Sequence, residues 1–148
     1  MGRSLNSAGF VFPFVTLQAT ASNPAATTSV PGVMMGTGST FAITPGFSGR
    51  LHICLQAQAS VSVATAAFTV QLRYGTGTAP INGAAITGTA LGASLSPWSA
   101  VANSIVPFTL TGVVTGLTVG TAYWIDFSLG TSTGTATSAG VSCNAMEF

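Results

Sequence analysis

Arg50-Leu51-His52-Ile53-Cys54-Leu55-Gln56-Ala57-Gln58-Ala59-Ser60 decides the fold. Its odd-numbered positions are apolar and its even-numbered ones polar. That period of two is the period of a β-strand, whose successive side chains point to opposite faces. Leu51, Ile53, Leu55, Ala57 and Ala59 make a core face; Arg50, His52, Cys54, Gln56 and Gln58 make an outer one. The pattern is that of a half-buried antiparallel strand. Residues 66–74 repeat it, with Phe68, Val70, Leu72 and Tyr74 inward and Thr69, Gln71 and Arg73 outward. In 105–114, Val106, Phe108, Leu110 and Val114 share a face. In 121–129, Tyr123, Ile125, Phe127 and Leu129 do so, which places Trp124 and Asp126 outward.

The segments between these strands read as follows. Residues 10–19 form a possible strand kinked or kept at an edge by Pro13. Val33-Met34-Met35 and residues 40–44 are short strands, and Pro45-Gly46-Phe47-Ser48-Gly49 is a turn. Residues 75–92 are a long Gly/Thr/Ala loop, ordered only if something packs on it. Residues 94–103 are a second loop carrying Trp98 after Pro97. Residues 130–140 are expected to be a mobile hairpin loop, and 141–148 a closing strand. No sustained helical period occurs, and the chain has no Lys and one Glu. About eight strands, each with one apolar face, predict an all-β, antiparallel β-sandwich. Long strands joined by long loops favour a jelly roll. The expected organisation is an N-terminal arm, 1–29, followed by one jelly-roll domain, 30–148.

Charge bounds the chemistry. Of 148 residues only Arg3, Arg50, Arg73, Asp126 and Glu147 are charged, 3% of the chain against about 25% in ordinary domains. His52 is the only histidine. Acid–base catalysis needs two titratable groups in one pocket, and an Asp126–Glu147 or Ser–His52–Asp126 site is the most this chain could assemble. Gly46-Phe47-Ser48-Gly49-Arg50 misses the last glycine of a nucleophile elbow. No spaced set of Cys and His suits zinc, and two carboxylates do not suit calcium. Three scattered arginines make no basic stripe for nucleic acid. No apolar run is long enough to cross a membrane as a helix, and the apolar stretch at 10–15 is too short for a secretory leader. No enzyme activity, cofactor or metal is therefore expected. Cys54 and Cys143 could pair only if their strands are neighbours; the simpler reading is two small apolar residues. Arg73 and Asp126, both outward by alternation, could pair across a sheet or a subunit boundary. A net charge of +1 leaves little repulsion between copies, so the surface is suited to assembly.

Several stretches stand together: residues 33–38, Phe41-Ala42-Ile43-Thr44-Pro45, Ser48-Gly49-Arg50, residues 70–85, Val106-Pro107-Phe108-Thr109-Leu110-Thr111-Gly112, residues 116–124 and residues 142–148. Over residues 30–148 the chain resembles a family of small structural proteins of tailed bacteriophages and prophages. Arg73-Tyr74-Gly75-Thr76-Gly77-Thr78-Ala79-Pro80 is the most specific part. The resemblance implies a virion component: a jelly-roll decoration (cement) protein on the outer capsid surface, or a fibre head with a tumour-necrosis-factor-like topology. The implied partners are the major capsid protein and the chain itself, as a homodimer or homotrimer. It supplies no catalytic residue. On the decoration reading the arm, with Phe10, Phe12 and Phe14, would add main-chain pairing to a neighbour. On the fibre reading Trp98, with Asn103 nearby, would contact a host glycan.

Overall fold

The computed structural model describes residues 15–148. Phe10, Phe12 and Phe14, and the first half of the expected strand at 10–19, lie outside the described residues. Ten strands are formed: β1 Thr16–Thr20, β2 Val33–Met34, β3 Ala42–Ile43, β4 Leu51–Val61, β5 Ala66–Thr76, β6 Thr89–Leu95, β7 Trp98–Ser99, β8 Val106–Val114, β9 Tyr123–Thr131 and β10 Ala136–Glu147. The described residues contain no α-helix, only a 3-10 turn at Thr37–Ser39 between β2 and β3.

All pairings are antiparallel. One sheet has the order β1-β10-β4-β8; the other has β2-β9-β5-β6, with β3 also on β9 and β7 also on β5. β2 and β3 pair with different stretches of β9 and are separated by the 3-10 turn. Counted as one interrupted strand, they complete two four-stranded sheets joined in jelly-roll fashion, with β7 as an addition. The alternation in β4 is realised residue by residue: every odd position from Leu51 to Val61 is buried. Between the sheets lie Leu51, Ile53 and Leu55, Phe68, Val70 and Leu72, Phe108 and Leu110, Ile125, Phe127 and Leu129, and Val141, Cys143 and Ala145. Phe108 ties the layers together, its ring 6.0 Å from Phe68 and 5.9 Å from Phe127 in the tilted geometry aromatic pairs favour.

Four sequence expectations change. First, β5 runs on to Thr76 and β6 starts at Thr89, so the loop between them is residues 77–88. It is held from beneath: Gly83 N–H donates to Met34 O, Met34 N–H to Ala84 O and Asn82 Nδ2 to Met35 O. Second, the 94–103 stretch is not all loop. Leu95 ends β6, and Trp98–Ser99 pairs with Ala67 and Ala66. Third, the supposed hairpin loop at 130–140 shrinks to residues 132–135. Thr131 closes β9, Ala136 opens β10 fully buried, and Ser62 Oγ accepts from Thr135 N–H. A register shift between Ala139 and Ser142 lets β10 follow β4 past Gly140. Fourth, the segment counted with the arm is paired from residue 16 on. β1 lies along β10, and Thr27 bridges to Ala136.

β9 departs furthest from simple alternation, since all nine of its residues are buried. Its inner face is the expected Tyr123, Ile125, Phe127 and Leu129. Its other face, Trp124, Asp126 and Ser128, is closed as well: the 3-10 turn packs over Asp126 and the Trp124 indole lies against Gly75 and Gly88, while β2 and β3 pair with β9 edge to edge. Trp124, expected outward, is only 6% exposed and donates from Nε1 to Thr76 O at 3.1 Å.

Candidate functional site

The two carboxylates are fully buried, and neither is placed for chemistry. Asp126 reaches outward from β9 into the covering turn. Its Oδ1 accepts from Thr37 Oγ1 (2.6 Å), Thr37 N–H (3.1 Å) and Phe127 N–H (2.8 Å), and its Oδ2 from Gly36 N–H (3.0 Å). Burial pushes its pKa up, against the pull of these donors. Of the two pairings open to Arg73 and Asp126, the one across the sheet is not made, although the two residues are cross-strand partners. The turn supplies Asp126 with closer neutral donors, and Arg73 Nη1 instead donates to the carbonyls of Thr87 and Gly88.

Glu147 sits in the other cradle. Gly46-Phe47-Ser48-Gly49 aims four successive N–H groups at its carboxylate, at 2.6, 3.0, 2.7 and 3.1 Å, and Ser48 Oγ adds a fifth donor. Such a nest of backbone amides is an anion site, here filled by the chain's own side chain. Burial would raise the pKa, but the four amides outweigh it and hold the carboxyl down at about 2. Gly49 is required twice over. Its φ is +64°, and a Cβ there would collide with the Leu117 carbonyl oxygen.

The catalytic combinations considered from sequence are not assembled. His52 is exposed on the outer face of the first sheet and meets Thr111 Oγ1 at 3.2 Å. Asp126 is enclosed on the outer side of the second sheet, and Glu147 is enclosed by residues 46–49. Among the described residues no group of three His, Cys, Asp or Glu side chains could hold a metal ion.

Both cysteines are free. They lie on adjacent strands one residue out of register, with Cys143 opposite Leu55 and Cys54 opposite Asn144. Cys143 therefore points into the core and Cys54 away from it. Burial first, then the neighbouring Cys54, pushes the Cys143 thiol up to about 12. The thiolate is the reactive form. A thiol reagent is therefore expected to label the folded chain once, at Cys54, and to reach Cys143 only on unfolding. Two equally fast sites in native protein would contradict this placement.

What remains is surface. Among the described residues nothing covers the outer face of the β1-β10-β4-β8 sheet. Its side chains form rows across the four strands: Thr16, Met146, His52, Val113; then Gln18, Asn144, Cys54, Thr111; then Thr20, Ser142, Gln56, Thr109. No outward position on these strands is Asp, Glu, Lys or Arg. A shallow groove of about 470 Å³ runs between β1, β10 and β4, with His52, Cys54, Asn144 and Met146 in its lining. At the face's margin Arg50 lies 5.7 Å from the Phe148 ring.

A second surface lies where β6, β7 and the start of β8 meet. Trp98 is 60% exposed, Val101 64% and Ile105 62%. Asn103, the other residue singled out from sequence, stands in the same loop at φ +60° and donates its N–H to Val61 O. The structure thus brings Trp98 and Asn103 to one end of the sandwich. Sequence reasoning missed Val101 and Ile105, whose signal was two large apolar residues flanking a Ser/Asn turn.

No protein-family description and no curated sequence matches the chain. Solved structures do. The VP2 subviral particle of infectious bursal disease virus superposes with a TM-score of 0.52 and 15% identity, covering 90% of this chain and 33% of that one. A mutant VP2 of the same virus, in T=1 particles, gives 0.50 and 12%, covering 90% and 32%. At such identities the likeness is one of fold: this chain folds like part of a viral capsid protein. It spans about a third of the length of those chains.

Proposed function

We propose that the chain is a non-enzymatic structural component of a virus particle, a decoration protein of a tailed bacteriophage that binds outside the major capsid lattice and reinforces it. The observation that carries this reading is a fold that superposes on part of VP2 from a virus particle, built here with a whole uncharged sheet face that the described residues leave uncovered. A flat face of Thr, Ser, Gln and Asn can lie against a shell without desolvating ions, which would otherwise weaken contact. Binding of that kind draws on shape, neutral hydrogen bonds and bridging waters, and so depends little on salt. Every charged side chain of β5, β9 and β10 serves an internal contact, which favours a mechanical role over a catalytic one. The sequence resemblance over residues 30–148 supplies the tailed-phage context.

The test is co-sedimentation of purified chain with capsids assembled without it. Saturation at a fixed number of copies per shell, unchanged between low and moderate salt, is the expected result. Chain left entirely in the supernatant would refute the proposal. A fibre-head reading gains from the exposure of Trp98. It would be favoured by glycan-array binding that Trp98→Ala abolishes.

A further inference from the structure

We propose that the side of the sandwich formed by β6, β7 and the start of β8 is the face on which a second copy of this chain packs. Both sheets end here. β6 and β7 pair with the edge of β5 that β9 leaves free, β8 is the last strand of the other sheet, and β6 lies against it. The opposite side is closed by the chain crossing from β1 to β2, tied at Thr27 to Ala136.

Three features of this side point to a partner. No residue of β6 is buried, although the strand is seven residues long and paired along β5. It carries none of the lysines or prolines by which natural edge strands discourage association. Next to it, Leu95, Trp98, Val101 and Ile105 are exposed, with Ile86 at the far end of the same edge. The four near Trp98 present on the order of 400 Å² of apolar surface, within the range of the largest patch on a typical monomer. That is about half of the roughly 800 Å² per partner in a stable interface. Finally, residues 74–125 contain no charged side chain; Arg73 of β5, cross-strand from Ala90, brings a cation only to the Ile86 end of the edge, where its Nη1 donates to the carbonyls of Thr87 and Gly88.

That last point selects the occupant. The part of this surface around Trp98, Val101 and Ile105 is built from uncharged residues and fits a partner surface without ions, because any unpaired charge brought against it would be buried uncompensated. A second copy supplies such a surface, and a formal net charge of +1 scarcely opposes its approach. Self-association through one patch gives a closed, symmetric assembly. Seating a copy over Trp98 also removes that ring from the glycan reading.

The experiment is sedimentation of the full chain from about 1 to 100 μM. Wild type is expected to be a discrete species of at least two copies. Trp98→Glu and Val101→Asp should each weaken association at least 100-fold, while Trp98→Phe and Val30→Glu, the latter exposed on the opposite side, should leave the mass unchanged. Circular dichroism separates dissociation from misfolding. A second readout needs no variant: acrylamide quenching of tryptophan fluorescence should fall with rising concentration as Trp98 becomes covered. A wild-type monomer at 100 μM overturns the proposal, as does an oligomer that both charge variants leave intact. Either result leaves the virion proposal standing, and absence from virions leaves this one standing.

Discussion

Glu147→Ala is expected to destabilise the fold by about 3–5 kcal/mol, because it removes a fully buried carboxylate on which four backbone N–H groups converge. At roughly 2–4 °C per kcal/mol for a domain of this size, the melting temperature should fall by about 10 °C or more. The loss is not a surface effect near a chain end. The carboxylate fixes the turn between β3 and β4 onto the last strand, and so joins the second sheet to the first. Glu147→Gln keeps the shape but sets an amide N–H against Gly46 N–H, so its loss should be smaller and still measurable. Acid distinguishes the two causes. A carboxyl with a pKa of about 2 folded and 4.5 ordinarily stabilises the fold fully above pH 4.5, and the contribution disappears as pH falls toward 2. Wild-type stability should therefore decline through that window, and Glu147→Gln should decline much less. Parallel curves for the two proteins would refute the assignment. Asp126 works in the opposite sense: its raised pKa means the folded chain binds that proton more tightly, so acid relieves its burial.

Asp126→Ala is the second large effect, about 3 kcal/mol, since it leaves Gly36 N–H, Thr37 N–H and Thr37 Oγ1 without their acceptor under the covering turn. The damage should be local first. Amide exchange at Gly36 and Thr37 should accelerate while that of β4 and β10 stays slow. Asp126→Asn should be milder. It can keep Oδ1 on Thr37 and Phe127, gives up only the Gly36 bond, and no longer buries a charge. If Ala and Asn prove equally harmless, the carboxylate does not hold the turn.

These two residues also mark the limit of what could be read without coordinates. The inward faces of β4, β5, β8 and β9 followed from alternation, because a strand offers each side chain only two directions. Alternation says which residues share a face; it does not say whether that face meets solvent. Asp126 and Trp124 were placed on the correct face of β9, but that face is covered, Asp126 by the turn at Gly36–Thr37 some 90 positions earlier and Trp124 by Gly75 and Gly88. The role of Glu147 was hidden for the same reason: the four amides that hold it lie about 100 residues earlier. The loops at 75–92 and 130–140 were overestimated because their glycines are weak strand formers and mark turns locally, while pairing to long neighbouring strands decides the outcome. Trp98 and Asn103 were found from residue type, but the surface around them required the positions of Val101 and Ile105.

The central claim is that this chain is a building part of a virus particle. Its most direct test is absolute quantification of the chain by mass spectrometry in purified virions, relative to the major capsid protein. The account predicts a fixed stoichiometry of the order of hundreds of copies per particle. Absence from purified particles, or a variable trace, would contradict it.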